Sequence, residues 1–206
     1  MNLSIIIPHY NDVLNLNKCI SSIKKSCINS KYEIILVDDN SKNSNRKIIK
    51  KKKFRIKTYF NDSNMGPAYC RNLGVKKSKY KNILFLDSDV ITNKLFFENL
   101  KIYLKNYNVM VGIYGEKNNS KNLGSVFRSS FEFFFHYKDG SIREVKTFHS
   151  GVGIIRKSIF NKIKGFNEKI KYGMDYENEE IGLRITKFES IYLIPNLIVQ
   201  HSYPSF

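Results

Sequence analysis

A β-branched apolar run, residues 3–8, opens the chain and stops at Pro8. Val13, Leu16, Ile20 and Ile23 then recur at helical spacing behind Asp12, a natural N-cap. Tyr32 to Val37 reads as a second strand, ended by Asp38-Asp39-Asn40-Ser41. A basic helix over about residues 43–53 leads to a third strand, Phe54 to Phe60. The turn Asn64-Met65-Gly66-Pro67 starts a helix over about residues 66–77, and Asn82 to Leu86 forms a buried strand. Strand and helix thus alternate up to residue 90, the pattern of βαβ units on a largely parallel sheet.

Beyond about residue 105 the pattern changes. Val109–Gly115, Val126–Phe135 and Val145–Ile155 carry aromatic and β-branched runs with few helical periods, which predicts antiparallel strands. The stretch Phe131–Phe135 fits a buried helix equally well. A short helix follows Lys157 and ends at Gly165-Phe166, and a longer one runs from about Asp175 to Phe188. Two strands, Ile191–Ile194 and Leu197–Gln200, come last. There are no internal repeats and no linker-like tracts, so residues 1–105 and 106–206 read as two halves of one α/β domain.

At 206 residues the chain is long enough for one well-packed domain, and no run approaches the ~20 apolar residues of a membrane-spanning helix. The segment Leu3 to Pro8 lacks the basic flank and cleavage site of a signal peptide. Cys19, Cys27 and Cys70 are odd in number and lack metal-ligand spacing, as expected of free thiols in a reducing cytoplasm. The formal charge of +17 and the cluster Arg46-Lys47, Lys50 to Lys53, Arg55 and Lys57 raise a nucleic-acid reading. Abundant Lys, Asn, Ile, Tyr and Phe together are what AT-rich coding produces, and the cluster lacks interleaved aromatics for base stacking. No nucleic-acid partner is therefore expected. The run reads as a solvated basic helix, with peripheral attraction to an anionic membrane as the functional alternative, at roughly 1 kcal/mol per basic residue.

The candidate chemistry begins at Asp87-Ser88-Asp89, directly after the strand Asn82–Leu86. Carboxyl ends of strands open onto the ligand crevice of α/β sheets, and side chains two apart in extended chain point the same way. Two converging carboxylates repel unless a cation lies between them. Oxygen ligands with open positions suit Mg²⁺ or Mn²⁺ carrying substrate phosphates.

Four segments then resemble the family-2 glycosyltransferases of the GT-A fold. They are Ser4 to Asn11, Ile34 to Ser41, Asn64-Met65-Gly66 with Ala68, Arg71-Asn72 and Gly74, and Leu84 to Asp89. Gly151-Val152-Gly153, Gly165-Phe166-Asn167, Glu177 through Arg184 and His201 extend the likeness over nearly the whole chain. The resemblance implies a Rossmann-like mixed central sheet flanked by helices, with a nucleotide-sugar half followed by a smaller acceptor-side β part. It implies a nucleoside pocket lined by Pro8 and Tyr10, and Asp39 accepting from a uracil N3–H; Asp38 and Asp39 otherwise cap the following turn. Arg71 would approach the diphosphate, with Asp87, Ser88 and Gly153 in the same donor-binding set. Asp89, Asp87 and His201 would hold the metal, while His149 faces either the sugar or a strand neighbour.

Inverting members of the family carry a Glu-Asp pair seven and six residues before an arginine. Here that arginine is Arg184 and the pair is Glu177-Asn178, so the usual base is replaced by an amide that accepts no proton. Glu177 lies four residues before Ile181, on the buried stripe with Ile185 and Phe188, and is the first candidate base; Asp175, placed as an N-cap, is the second. Glu180 lies four residues before Arg184 and reads as an intrahelical ion pair.

The expected function is transfer of a sugar from a nucleotide-diphosphate sugar, a UDP-sugar, to a hydroxyl of a glycan or lipid-linked glycan, with inversion and with Mn²⁺ or Mg²⁺. Such chemistry belongs to polysaccharide and cell-envelope synthesis in the cytoplasm or at the inner membrane face. A non-catalytic degenerate transferase subunit and a basic nucleic-acid or membrane-surface module are the alternatives. A nucleotidyltransferase is disfavoured because Pro8-His9-Tyr10-Asn11 is not a Gly-rich basic loop.

Overall fold

In the computed structural model, described for residues 1–27, 30–51, 56–116, 139–170 and 176–201 and for single positions 124, 127, 130 and 133, β1 (Asn2–His9) anchors a parallel unit. It pairs on one side with β2 (Lys31–Asp38), which pairs with β3 (Lys57–Phe60), and on the other with β4 (Asn82–Leu86). Strands β1, β2 and β4 are largely apolar on both faces because helices cover both, while β3, at the sheet edge, is only half-buried. Helices α1 (Val13–Ser26), α2 (Asn43–Lys51) and α3 (Pro67–Lys77) make the crossovers. Asp12 caps α1 as expected, accepting from Asn15 N at 3.0 Å. The basic helix extends to Lys51; residues 52–55, and with them the start expected for β3, lie outside the described part.

After β4 come β5 (Val90–Ile91) and α4 (Lys94–Tyr103), a helix absent from the sequence reading above. Its signal was present: Asn93 caps it by accepting from Phe96 N at 2.9 Å, and Phe96, Phe97 and Leu100 form its buried side. Then follow β6 (Val109–Tyr114), β7 (Arg143–Val145), β8 (Val152–Arg156), α5 (Lys157–Lys162), α6 (Tyr176–Ile185) and β9 (Ile191–His201). The sheet order is β3-β2-β1-β4-β8-β6-β9-β5, with β7 on β9, so one continuous mixed sheet runs through both halves of the chain.

Three expectations change in the second half. Strand β6 is antiparallel to β8 but parallel to β9. The last two strands are one, because Val111 pairs with Leu193 and Ile113 with Ile198, and the surplus residues around Pro195 bulge out of the ladder without ending it. Within Val126–Phe135 the described positions Phe127, Ser130 and Phe133 are helical; their three-residue spacing lets Phe133 reach the core while Phe127 faces out.

The core has two layers. On one face of the sheet, Leu16, Ile20 and Ile23 of α1, Ile49 of α2 and Phe96 and Leu100 of α4 pack on Leu3, Ile5, Leu36 and Leu84. On the other, α3, α5 and α6 pack on Ile6, Phe85 and Val111 through Val75, Phe160 and Ile181. Phe85 lies among Phe148, Phe160 and Phe166 at centroid distances of 5.4–6.2 Å. All three cysteines are buried and unbridged. None of the described helices is long and apolar enough to cross a membrane.

One buried carboxylate ties the far end of the sheet together. Glu33 accepts from Ser4 Oγ at 2.6 Å and Lys79 N at 2.8 Å and pairs with Lys57 Nζ at 2.7 Å. Burial pushes its carboxyl up, but Lys57, Lys79 and Ser4 outweigh that and hold it below the usual glutamate range. Such a depressed group contributes stability above its unfolded-state range and loses it as pH falls through the folded value. Glu33→Gln is expected to cost about 1–3 kcal/mol near neutral pH. Urea unfolding should show that gap closing on acidification.

Candidate functional site

The site forms where β1, β2 and β4 end, with α6 and β9 closing it from the second half. After β1, Pro8 is partly buried and Tyr10 is 54% exposed at the rim. Asn11 takes a left-handed φ of 61° and accepts from Lys42 N at 2.8 Å, fixing this loop against the one after β2. Asp38 is fully buried, accepts from Ser41 N at 3.1 Å and lies 3.2 Å from Arg46 Nε. Asp39 Oδ1 accepts from Asn61 Nδ2 and Met65 N, and Oδ2 from Gly66 N, each at 2.8 Å. Its carboxylate therefore braces the turn into α3, a role that the sequence reading, divided between a base contact and a local cap, did not include.

The densest electrostatic feature is Arg71, on the second turn of α3. Its Nη1 donates to Glu177 Oε1 at 2.8 Å and its Nη2 to Asp87 Oδ1 at 2.9 Å, while the guanidinium lies 5.5 Å from the Phe166 ring centroid. The side chain is only 5% exposed, against 35% for Asp87 and 11% for Glu177. One cation thus holds together the end of β4 and the start of α6. Arg71, Asp87 and Glu177, separate candidates in sequence, form a single ion cluster.

Beside it, the β5–β9 pairing sets Val90 opposite His201 and brings Asp89 Oδ2 to 3.3 Å from His201 Nε2. Asp89 Oδ1 is buried without a hydrogen-bond partner among the described residues. Burial pushes the Asp89 carboxyl up; His201 opposes the rise and Asp87 adds to it. Ser88 lies between the two aspartates, half-buried.

Tyr114, at the end of β6, completes the cluster. Its ring meets those of His149 and His201 edge-on, both at 5.2 Å, and its hydroxyl lies 3.4 Å from Asp87 Oδ2. The sequence reading missed it, since a tyrosine closing a strand carries no signal until β6 is placed beside β9. Gly151 is fitted to this group. A Cβ there would lie 2.1 Å from the Tyr114 hydroxyl and 2.8 Å from Asp87 Oδ2. Gly153, the glycine expected in the donor-binding set, lies further into the sheet, opposite Phe85 and Val111, where a Cβ would strike Phe148 at 2.6 Å. The structure brings Gly151 to the cleft and Gly153 to the core.

On α6, Glu180 and Arg184 form the expected pair, with two contacts of 2.7 and 2.6 Å; Arg184 also donates to Gly165 O at 2.7 Å, tying α6 to the turn after α5. Asn178 is buried, and its Oδ1 accepts from Ser150 N at 3.0 Å while its backbone oxygen accepts from Phe148 N at 3.0 Å. It secures the loop that carries His149 and Gly151. Asp175 lies outside the described residues.

Among the described residues no group of three or more His, Cys, Asp or Glu side chains forms a metal site. Asp89 and His201 nonetheless fit two ligands of a divalent ion. They are an oxygen and a nitrogen donor at contact distance, with Asp89 Oδ1 lacking a hydrogen-bond partner among the described residues. Ions that keep water and substrate phosphates as further ligands need few protein donors.

The chain has relatives among known proteins. Residues 4–164 match the profile of Glycosyl transferase family 2. The chain belongs to this family. An uncharacterized glycosyltransferase of Haemophilus influenzae is 40% identical over 115 residues, 52% of this chain and 44% of that protein. The UDP-Glc:alpha-D-GlcNAc-diphosphoundecaprenol beta-1,3-glucosyltransferase WfgD of Escherichia coli is 34% identical over 125 residues, 59% of this chain and 49% of WfgD. This family-2 chain thus aligns with less than half of either relative's length. Its fold is that of GalNAc-T7, solved with UDP, GalNAc and Mn²⁺, at a TM-score of 0.76 and 17% identity over 98% of this chain and 43% of that one. Family membership and the mixed, helix-flanked sheet together establish the GT-A-like architecture expected from the sequence.

Proposed function

We propose that this family-2 chain transfers a sugar from a UDP-sugar to a hydroxyl of a glycan or lipid-linked glycan, with inversion, using Mn²⁺ or Mg²⁺. The observation that carries the reading is the cluster in which Arg71 joins Asp87 to Glu177 beside the Asp89–His201 pair. WfgD, whose name specifies a UDP-sugar donor and a diphosphate-linked lipid acceptor, and GalNAc-T7, solved with UDP and Mn²⁺, support the choice of donor, acceptor class and metal.

Each residue has a definite part in this chemistry. Pro8 and Tyr10 border the nucleoside, and Asp39 shapes its pocket through the turn it braces. Asp89 and His201 hold the divalent ion, which when bound neutralises charge on the leaving diphosphate. Glu177 Oε1 is engaged by Arg71, and among the described residues no other group engages Oε2, which is left for the acceptor. That oxygen takes the proton of the acceptor hydroxyl as its oxygen bonds to the anomeric carbon. The sugar–phosphate bond breaks, its electron pair leaves with UDP, and the proton remains on Glu177. Arg71 orients Glu177 and fixes Asp87, while Asn178, unable to accept a proton, serves through Ser150.

The direct test is calorimetric titration of UDP, with and without Mn²⁺, into wild type and Asp89→Ala. Metal-dependent binding that weakens by roughly tenfold or more in the variant is expected, since a charged ligand-holding group is worth at least ~1.4 kcal/mol. Absence of UDP binding with Mn²⁺ present would overturn the UDP-sugar assignment.

A further inference from the structure

The same face of the sheet that carries α1, α2 and α4 has an outer surface that takes no part in the chemistry above. Its charge is one-sided. Helix α1 exposes Lys18, Lys24 and Lys25 and has no acidic residue; α2 exposes Lys47 and Lys50 and likewise has none. Helix α4 exposes Lys94 and Lys101, and its one acid, Glu98, lies 3.3 Å from Lys94. The opposite face is mixed: α3 and α5 carry Lys76, Lys77, Lys157 and Lys162, but α6 adds Glu177, Glu179 and Glu180 against Arg184, so the basic excess is larger on the α1–α2–α4 side.

The lysines also converge. Lys18 and Lys25 of α1 and Lys94 of α4 line one open groove of about 640 Å³, whose walls are Ser21, Ser22 and Asn93. Apolar side chains project beside these cations. Leu14 stands one turn before Lys18 and is 77% exposed, and Leu95, next to Lys94, is 61% exposed. Ile48 and Ile102 are also exposed on the same three helices.

The geometry points to a docking surface for anionic phospholipid on the α1–α2–α4 side. The groove lysines receive headgroup phosphates, and Leu14 and Leu95 enter the boundary between headgroups and acyl chains. Cationic residues attract an anionic leaflet within a Debye length, and flanking leucines add burial that salt does not screen. A nucleic-acid ligand fits less well. The large apolar side chains exposed on these helices are all leucine or isoleucine, and stacking on bases needs aromatic rings.

The test is co-sedimentation of the whole chain with vesicles of phosphatidylcholine alone and of phosphatidylcholine with phosphatidylglycerol, at low and raised salt. Binding only to the anionic vesicles is expected. The triple variant Lys18→Gln/Lys25→Gln/Lys94→Gln should bind them on the order of 100-fold more weakly, because three cations no longer face the lipid phosphates. A matched triple on the other face, Lys76→Gln/Lys77→Gln/Lys162→Gln, should stay within about threefold of wild type, the test of position against total charge. Leu14→Gln/Leu95→Gln, at exposed sites that do not threaten folding, should remove the binding that survives raised salt. Equal losses in both lysine triples, or equal binding to neutral vesicles, would overturn the proposal. Tight binding to duplex DNA without vesicle binding would replace it with a nucleic-acid surface. None of these readouts requires sugar transfer, so they stand or fall apart from the proposed activity.

Discussion

Glu177→Gln is expected to lower the rate of sugar transfer by roughly 10²–10⁴, the usual contribution of a positioned general base, while UDP binding stays near wild type. The substitution is nearly isosteric. The amide oxygen can still accept from Arg71 Nη1 where the carboxylate oxygen accepts at 2.8 Å, so α6 and α3 remain joined. What is lost is the second oxygen as a proton acceptor. In the proposed mechanism Glu177 meets the acceptor and not the nucleotide, so the change should fall on kcat, with the donor KM little altered. Transfer at the wild-type rate would move the base elsewhere, first to Asp175.

Arg71→Met has the opposite profile and acts first on the fold. The guanidinium is nearly excluded from solvent and carries two carboxylate contacts, at 2.8 and 2.9 Å. Removing one partner of a buried ion cluster leaves charge without compensation, at a cost of roughly 3–5 kcal/mol. Methionine preserves most of the volume beside Phe166, so the loss is electrostatic more than a matter of packing. Urea unfolding should show a large fall in midpoint. The double variant Arg71→Met/Glu177→Met should regain part of it, since replacing both partners by apolar groups removes the unpaired charge. A single variant as stable as wild type would show that water already screens the cluster.

The difference between these two outcomes reflects what was legible in the sequence. The parallel half could be read because β1, β2 and β4 are near-continuous apolar runs and the helices between them begin at a cap or a turn. Asp12 before α1 and Gly66-Pro67 before α3 are examples. Asp87 and Asp89 could be marked because they follow a buried strand, whereas Glu177 and His201 could be marked through the resemblance to the family, Glu177 being then ranked by helix geometry. Their partners could not. Arg71 and Glu177 are far apart in sequence, and that they share a hydrogen bond depends on how α3 and α6 pack on one face of the sheet. The contacts of Tyr114 and Gly151 could not be read for a similar reason: they cross β6, β8 and β9, which pair out of sequence order. Within Val126–Phe135 the strand expectation does not hold at the described positions Phe127, Ser130 and Phe133, and the helical alternative left open for Phe131–Phe135 fits Phe133, because aromatic runs suit a buried helix and a strand alike.

The late position of β9 has a consequence for synthesis. Asp89 is made in the first half of the chain, whereas His201 arrives on the strand that pairs with β5, β6 and β7. A nascent chain can lay down β1 through β4 and seat Arg71 against Asp87 long before that strand leaves the ribosome. Until it docks, Asp89 has no histidine beside it. If the proposed metal site is right, capture of a divalent ion at this pair is tied to completion of the sheet, and a chain interrupted ahead of Ile191 would keep β1 to β4 yet lack the histidine of that pair.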